Sequence, residues 1–411
     1  MSNLISIHPE DIVLKFNNKV PYTQYTYTNN AHHFFREFYN DATLKSIYAG
    51  AVPGPEGINI HTIPVDILKN YLTEIMTPTT KVMFDDMHEG IFFNFLVHKI
   101  HTAIKDTNIN PAQIYYLSCT VNSNELYKKY CEVFGITKPL NVYCCNLWEY
   151  SILNNGNVKD RYNVIKNKEK LLLCFNRMFK VHRYALLGLL LEKNLVKNSY
   201  YSFFFNNYSA TEVSLEECEV MLNNVFSKNL SNTIHNAIKN NIHLFPLKIN
   251  IDNSNNKNYL NSDDVRFFDE SYFSLVTETS FNQCTGYCDP DHQIDHLKDN
   301  TIFFSEKIYK PIVMRHPFIL MSSAHSLKYL RRIGYKTFSP FINESYDDIE
   351  NHEARLIAIV DEIERLNKFT NDEWIKWQHD VEHIVDHNHM IIRTRKINEY
   401  AISRPNYRTQ P

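Results

Sequence analysis

Glycine is scarce in this chain, at 9 of 411 positions, while Tyr and Phe each occur 26 times. So little glycine excludes collagen-like and Gly-rich low-complexity architectures. Neither a G-x-G-x-x-G nor a G-x-x-x-x-G-K-[ST] fingerprint occurs, which argues against a dinucleotide-fold dehydrogenase or a P-loop ATPase. No apolar run approaches the roughly 18 residues of a membrane-spanning helix. Neither sign of charge dominates: 43 Lys and Arg face 46 Asp and Glu, for a net charge of −3 and a pI near 6.7. The chain therefore has no global basic field to draw in nucleic acid. The stretch Met1–Pro9 has neither the basic n-region nor the apolar h-region of a secretory leader. The 8 cysteines, among them the adjacent Cys144-Cys145, are accordingly expected as reduced thiols in a cytoplasmic compartment. An excess of Asn, Lys, Ile and Tyr fits an AT-rich coding genome such as a virus or phage, whose product would work in host cytoplasm.

What is present is an alternation of strand-like and helix-like segments, restarted once. Lys81–Asp86, Gln113–Ser118 and Leu140–Cys145 read as strands, separated by helical patterns at Glu89–Lys105 and Asn124–Phe134. Residues 151–169 are polar and Asn/Lys-rich, as in a linker. The alternation then resumes with strands at Lys170–Phe175, Ser199–Phe205, Ser271–Glu278, Phe318–Met321 and Lys336–Ser339. Helical patterns cover Val181–Lys193, a short segment from Glu306, Ser326–Ile333, Asp347–Leu366 and a stretch from Asp372, while 206–265 reads as irregular. Repeated β-α-β units predict an α/β fold with two Rossmann-like domains, each with a parallel sheet. The boundaries fall at 1–155, a linker at 156–169, a second domain at 170–385 and a terminal helix or tail at 386–411. Ligands on such sheets bind outside the carboxyl ends of the strands.

Three islands in the second half sit at such ends. In Asn176-Arg177-Met-Phe-Lys180-Val-His182-Arg183, Arg183 falls in a first helical turn, where a cation opposes the helix dipole unless an anion joins it. A surface ion pair explains Arg183 equally well, and Arg177 can aim at the same anion from the loop. Ser274-Leu-Val-Thr277-Glu278-Thr279 ends a strand in a carboxylate flanked by hydroxyls, which suits a base or ribose, or simply a cap for the next segment. Ser305-Glu306-Lys307 opens a short helix ahead of the apolar Phe318–Met321 run, and a helix N-terminus favours a phosphate.

Together these islands resemble the C-terminal domain of GT-B glycosyltransferases, most closely the α-1,3-fucosyltransferase-like group. The matching residues are Asn176 to Arg183 and Ser305-Glu306-Lys307, within roughly 170–340. The resemblance implies two Rossmann-like domains facing a cleft, with the first on the acceptor side and the second holding a GDP- or UDP-linked sugar. It implies that Arg183 and Lys307 bind the donor diphosphate and Glu306 the ribose, with Asn176, Arg177 and Glu278 completing the donor site. The terminal segment would pack back on the first domain. The family carries small residues and a Gly near the last strand; Val313-Met-Arg315-His316-Pro317 and Ser322-Ser323 stand here instead, so the sugar and base stay open. Arg315 and His316 are further donor contacts to consider.

The implied reaction is inverting transfer to a hydroxyl, which needs a general base and charge stabilisation for the leaving diphosphate. Asp86, His88 and Glu89 supply base candidates, although Asp86 with Glu89 also forms an ordinary capping-box pattern. Lys307, Arg183 and a helix N-terminus stand in for a metal, so neither metal nor cofactor is expected. A glycan is the favoured acceptor over hydroxymethylated DNA, and a non-catalytic nucleotide- or sugar-binding module is the alternative of another class. Cys284-x3-Cys288-x3-His292-x3-His296 has four potential zinc ligands, but Pro290 interrupts them and a loop is the simpler reading. The histidine-bearing stretch His379, His383, His387 and His389 reads as a packing helix.

Overall fold

The structure, a computed structural model, describes residues 4–5, 46–48, 64–78, 81–86, 93–145, 148–149, 152, 164–176, 178–206, 212–245, 247, 265–282, 300–395 and 401–402. The chain forms two compact units. Unit 1 comprises Met1–Leu147, Cys284–Phe303 and Lys396–Pro411, and unit 2 comprises Trp148–Gln283 and Phe304–Arg395. Both are mixed α/β with parallel sheets. Among the described residues no helix is long and apolar enough to cross a membrane. His88, Glu89, Arg177 and the Cys284, Cys288, His292, His296 set lie outside the described residues.

In unit 1 the strands are β1 (Leu4–Ile5), β2 (Ser46–Tyr48), β3 (Lys81–Asp86), β4 (Ile114–Ser118), β5 (Asn141–Cys145) and β10 (Ala401–Ile402). Their order is β1-β3-β4-β5-β10, with β2 also on β3. All pairs are parallel except β5 with β10. Helices α1 (Val65–Ile75), α2 (Phe93–Ile104) and α3 (Ser123–Phe134) supply the other side of a core built on Leu72, Val82, Phe84, Phe93, Ile114 and Tyr116. Strand periodicity puts Val82, Phe84 and Asp86 on one face. Asp86 is thus buried with the apolar pair, where its carboxylate accepts a 2.6 Å hydrogen bond from the Tyr116 hydroxyl. α2 and α3 lie side by side: His98 Nδ1 is 3.1 Å from the Tyr130 hydroxyl and His101 Nε2 is 3.0 Å from that of Tyr127. Burial, with the neighbouring His98, pulls the His101 pKa down to about 4, so the imidazole is neutral.

Unit 2 carries β6 (Lys170–Phe175), β7 (Ser199–Ser202), β8 (Ser271–Thr277) and β9 (Phe318–Met321) in the order β7-β6-β8-β9, all parallel. α4 (Val181–Glu192) is buried from His182 to Leu191, as a helix apolar all round must be. Burial pushes the thiols of Cys144 in unit 1 and Cys174 in unit 2 up to about 12.

Three sequence expectations need correction. The 206–265 stretch, read as irregular, contains α5 (Leu215–Val225) and α6 (Lys228–Asn240), followed at its end by α7 (Val265–Glu270). The overlooked signal is Ser214-x-x-Glu217, a capping box in which Ser214 Oγ accepts from the Glu217 N–H at 3.2 Å and the Glu217 carboxylate from the Ser214 N–H at 2.8 Å. The strand expected at Lys336–Ser339 does not form. Its backbone is claimed by side chains: Lys336 N–H and C=O bond to the Asn388 amide at 2.7 and 2.9 Å, and Phe338 N–H to Glu344 at 2.5 Å. α9 (Ser326–Arg332) precedes it. The Asp347–Leu366 pattern also begins later, as α10 (His352–Leu366). Asp347 is instead the cap of α9, accepting from Leu327 N–H at 3.0 Å.

α11 (Asn371–Thr394) carries the histidines and packs within unit 2. His389 lies 3.0 Å from the Val313 carbonyl and His387 3.0 Å from that of Gly334.

Candidate functional site

In unit 2 the chain leaves β6 for β7 on one side and later enters β8 on the other. Such a reversal opens a crevice at the carboxyl ends of the two strands, where ligands bind in open α/β sheets. The residues following β6 bridge this gap. Asn176, fully buried, donates to the Tyr201 hydroxyl at 3.1 Å and to Cys174 Sγ at 3.2 Å, while its carbonyl accepts from Thr277 Oγ1. Arg183 donates to the carbonyls of Met178 at 3.2 Å and Thr277 at 3.1 Å. Its side chain is drawn under the loop by these bonds, at 3% exposure. His182 Nε2 lies 3.0 Å from the Glu278 carbonyl. A carbonyl only accepts, so Nε2 carries the proton; burial, together with Arg183 and Lys180, holds this imidazole far below its ordinary pKa and neutral.

Glu278 follows β8 directly and is also fully buried. Both of its oxygens go to Ser305: Oε1 accepts from the backbone N–H at 3.1 Å and Oε2 from the hydroxyl at 2.6 Å. Ser305 is the N-cap of α8 (Glu306–Val313), with Oγ accepting from the Lys307 N–H at 3.3 Å. Lys307 Nζ returns to the same Oγ at 3.0 Å and lies 3.4 Å from the Glu306 carboxylate. Burial pushes the Glu306 carboxyl up, but Lys307, Lys310 and the helix N–H groups outweigh it, and its net shift is downward. Glu306 is therefore ionised beside the cation. Glu278, Glu306 and Lys307 thus meet around one serine, while Asn176 and Arg183 meet at Thr277. Lys307, at 24% side-chain exposure, presents positive charge outward at the helix N-terminus.

For Glu278, burial raises the pKa above 4.5, with Lys307 and Ser305 opposing. Above the unfolded value of 4.5 the folded state then holds more proton than the unfolded one, so this group's contribution to stability falls as pH rises until the folded carboxyl has ionised. Glu278→Gln keeps polar contact with Ser305 and should flatten that decline. Urea unfolding followed by tryptophan fluorescence at stepped pH measures it, and an unchanged slope counts against the assignment. All three tryptophans, Trp148, Trp374 and Trp377, belong to unit 2.

His316 and Arg315 do not join this edge. His316 precedes β9 and bonds at 2.8 Å to both Ser274 Oγ and the Ser271 carbonyl. These are the amino-terminal half of β8, the opposite end of the sheet. Arg315, beside it with φ of 52°, pairs with Asp386 of α11. In unit 1, Asp86 lies at the carboxyl end of β3, beside Ser118 of β4. Ser322 and Ser323, which follow β9, bond to other hydroxyls: Ser280 Oγ is 2.9 Å from Ser323 Oγ, and Ser326 Oγ donates to Ser322 Oγ at 2.9 Å.

No family model matches the chain, and no curated protein matches it. Among solved structures, trehalose-6-phosphate synthase OtsA aligns with a TM-score of 0.36 and 12% identity, over 82% of this chain and 73% of that one. A likeness of that size assigns neither fold nor activity, and the functional reading rests on the chain's own residues.

Proposed function

We propose that the chain is a GT-B glycosyltransferase that binds a nucleoside-diphosphate sugar, GDP- or UDP-linked, at the carboxyl edge of β6, β8 and β9. The observation that carries this reading is the α8 start, where Glu278 fixes the Ser305 cap and leaves Glu306 and Lys307 at the helix N-terminus. An ionised carboxylate there suits paired ribose hydroxyls. An ammonium at a helix N-terminus suits a diphosphate and offsets the charge that develops on it as the sugar departs. Arg183 and Asn176 act by shaping the strand ends, and Arg177, next to Asn176 in sequence, is a further candidate for the diphosphate. Transfer is inverting and metal-independent, to a glycan hydroxyl, with Asp86, His88 and Glu89 of unit 1 as the candidates for the base.

Thermal-shift screening against UDP, GDP, CMP and dTDP and their sugar conjugates, with and without chelator, tests the reading. A ligand of the native state raises the midpoint by mass action. One diphosphate is expected to do so with chelator present. Lys307→Ala should weaken that diphosphate by roughly 10- to 100-fold, the range for a hydrogen bond to a charged group. If no nucleotide shifts the wild type, the donor site is refuted; if one does but Lys307→Ala binds it equally well, Lys307 is not its ligand.

A further inference from the structure

At the last turn of α9, unit 2 opens into a cavity of about 950 Å³, a size that admits a small organic molecule. No residue of the α8 start lines it. Its walls come from Arg331 of α9, from the connection that follows α9, and from His383 and Ile384 of α11. The connection runs here because Asn388 of α11 and Glu344 take the backbone groups of Lys336 and Phe338, which would otherwise have joined a sheet. Ile342 and Ile384, both buried, give the cavity an apolar wall.

The acceptors around this cavity are already engaged. Glu344 accepts from the Phe338 N–H at 2.5 Å and the Thr337 hydroxyl at 2.7 Å, and Arg331 Nη1 lies 3.3 Å from it. Asp348 is 3.3 Å from His325 Nδ1. The carbonyls at the end of α9, whose dipole would repel an anion, accept from the N–H groups of Ile333, Gly334 and Tyr335. The basic groups stand differently. Among the described residues, neither the Lys336 ammonium nor the His383 imidazole makes a hydrogen bond or an ion pair. Arg331 engages Thr337 and Glu344 through Nη1 alone, which fixes the guanidinium and leaves Nε and Nη2 as a planar fork. Arg331 and Lys336 repel one another across one cavity until an anion joins them, and a neutral imidazole still donates one N–H to that anion.

We propose that this cavity binds a small organic anion, a phosphate or carboxylate group carried on a compact apolar body. The anionic group is held by the Arg331 fork, Lys336 and His383, and the body lies against Ile342 and Ile384. The site shares no residue with the α8 start and stands whether or not the chain transfers sugars. Its ligand ties α9 to α11 through side chains, where the backbone has no sheet to do so.

The test titrates the full chain with phenyl phosphate, benzoate and the neutral benzyl alcohol, followed by calorimetry and tryptophan fluorescence. Trp377 donates from Nε1 to the Phe341 carbonyl at 3.3 Å, in the same connection, so its emission reports on this wall. At least one of the two anions should bind, about tenfold or more tighter than benzyl alcohol, and which one binds separates phosphate from carboxylate. Lys336→Ala should weaken that anion by roughly tenfold, the lower range for a hydrogen bond to a charged group. Lys336 is exposed and makes its structural contacts through its backbone, so the variant keeps the fold. Lys336→Arg should retain most of the affinity, and Lys307→Ala, at the α8 start, should leave it unchanged. The proposal is overturned if neither anion binds, if benzyl alcohol binds as well, or if Lys336→Ala and His383→Ala both bind as the wild type does. Loss of binding in Lys307→Ala with retention in Lys336→Ala would place the anion at α8 and overturn it equally.

Discussion

Glu149→Ala should destabilise unit 2 by about 3–5 kcal/mol, the cost of breaking a buried ion pair from one side. Glu149 is fully buried and accepts from the Tyr335 hydroxyl at 2.5 Å and the Arg395 guanidinium at 2.8 Å. Burial pushes its carboxyl pKa up, against the pull of Arg395 and Tyr335. Arg395 also lies over the Tyr335 ring at 5.2 Å and donates to the Ile333 carbonyl. The variant strands the guanidinium in a site only 12% exposed, now facing no carboxylate. Pairing Glu149→Ala with Arg395→Met removes the stranded charge and should recover part of the loss, because the two residues share one network. Urea unfolding read by tryptophan fluorescence follows unit 2 alone, since all three tryptophans lie there. A double variant no more stable than Glu149→Ala would show that the carboxylate's value is not its pairing with Arg395. Glu149 and Arg395 stand near the two ends of the unit 2 chain, Trp148 and Arg395, so the pair also ties those ends to the body of the unit.

The second large effect is expected at Gly188, inside α4. Alanine normally stabilises a helix interior over glycine by about 0.5–1 kcal/mol. Here a Cβ would stand 2.6 Å from Ile234 Cγ2, 2.9 Å from the Ile234 carbonyl oxygen and 3.0 Å from its Cα. Two of those atoms are backbone and cannot rotate away, so α4 and α6 must separate. Overpacking of this kind costs about 1–3 kcal/mol, which outweighs the propensity gain. Gly188→Ala should therefore lower the urea midpoint of unit 2, and Gly188→Val should lower it further. Adding Ile234→Ala removes only the methyl clash and should rescue Gly188→Ala in part. A midpoint equal to or above wild type for Gly188→Ala would mean that the helices can part without cost.

Much of the fold was legible because its signals are local. The apolar runs Lys170–Phe175 and Phe318–Met321 are strands at those bounds, and Val181–Glu192 is the helix that its unbroken apolar pattern describes. The start of α8 was legible too, since Ser305, Glu306 and Lys307 are adjacent in sequence. α5 was missed although Ser214 and Glu217 announce it, because the polar composition around them outweighed a two-residue signal. The Lys336–Ser339 strand was expected and fails for a non-local reason. Asn388, 52 residues on, takes the backbone groups that would have paired with a neighbouring strand.

The candidate sites divide in the same way. The amino-acid order alone determined which residues end strands and begin helices, and hence that Asn176, Arg183, Glu278, Glu306 and Lys307 belong to one edge of one sheet. Periodicity also put Asp86 on the face of Val82 and Phe84. Tertiary structure decided what each of them does there. Arg183 turns its guanidinium onto the Thr277 carbonyl, 94 residues away, and Glu278 reaches 27 residues forward to cap α8. Such partners are invisible in sequence. A buried contact is a property of everything packed around an atom, and only the folded chain brings those surroundings together.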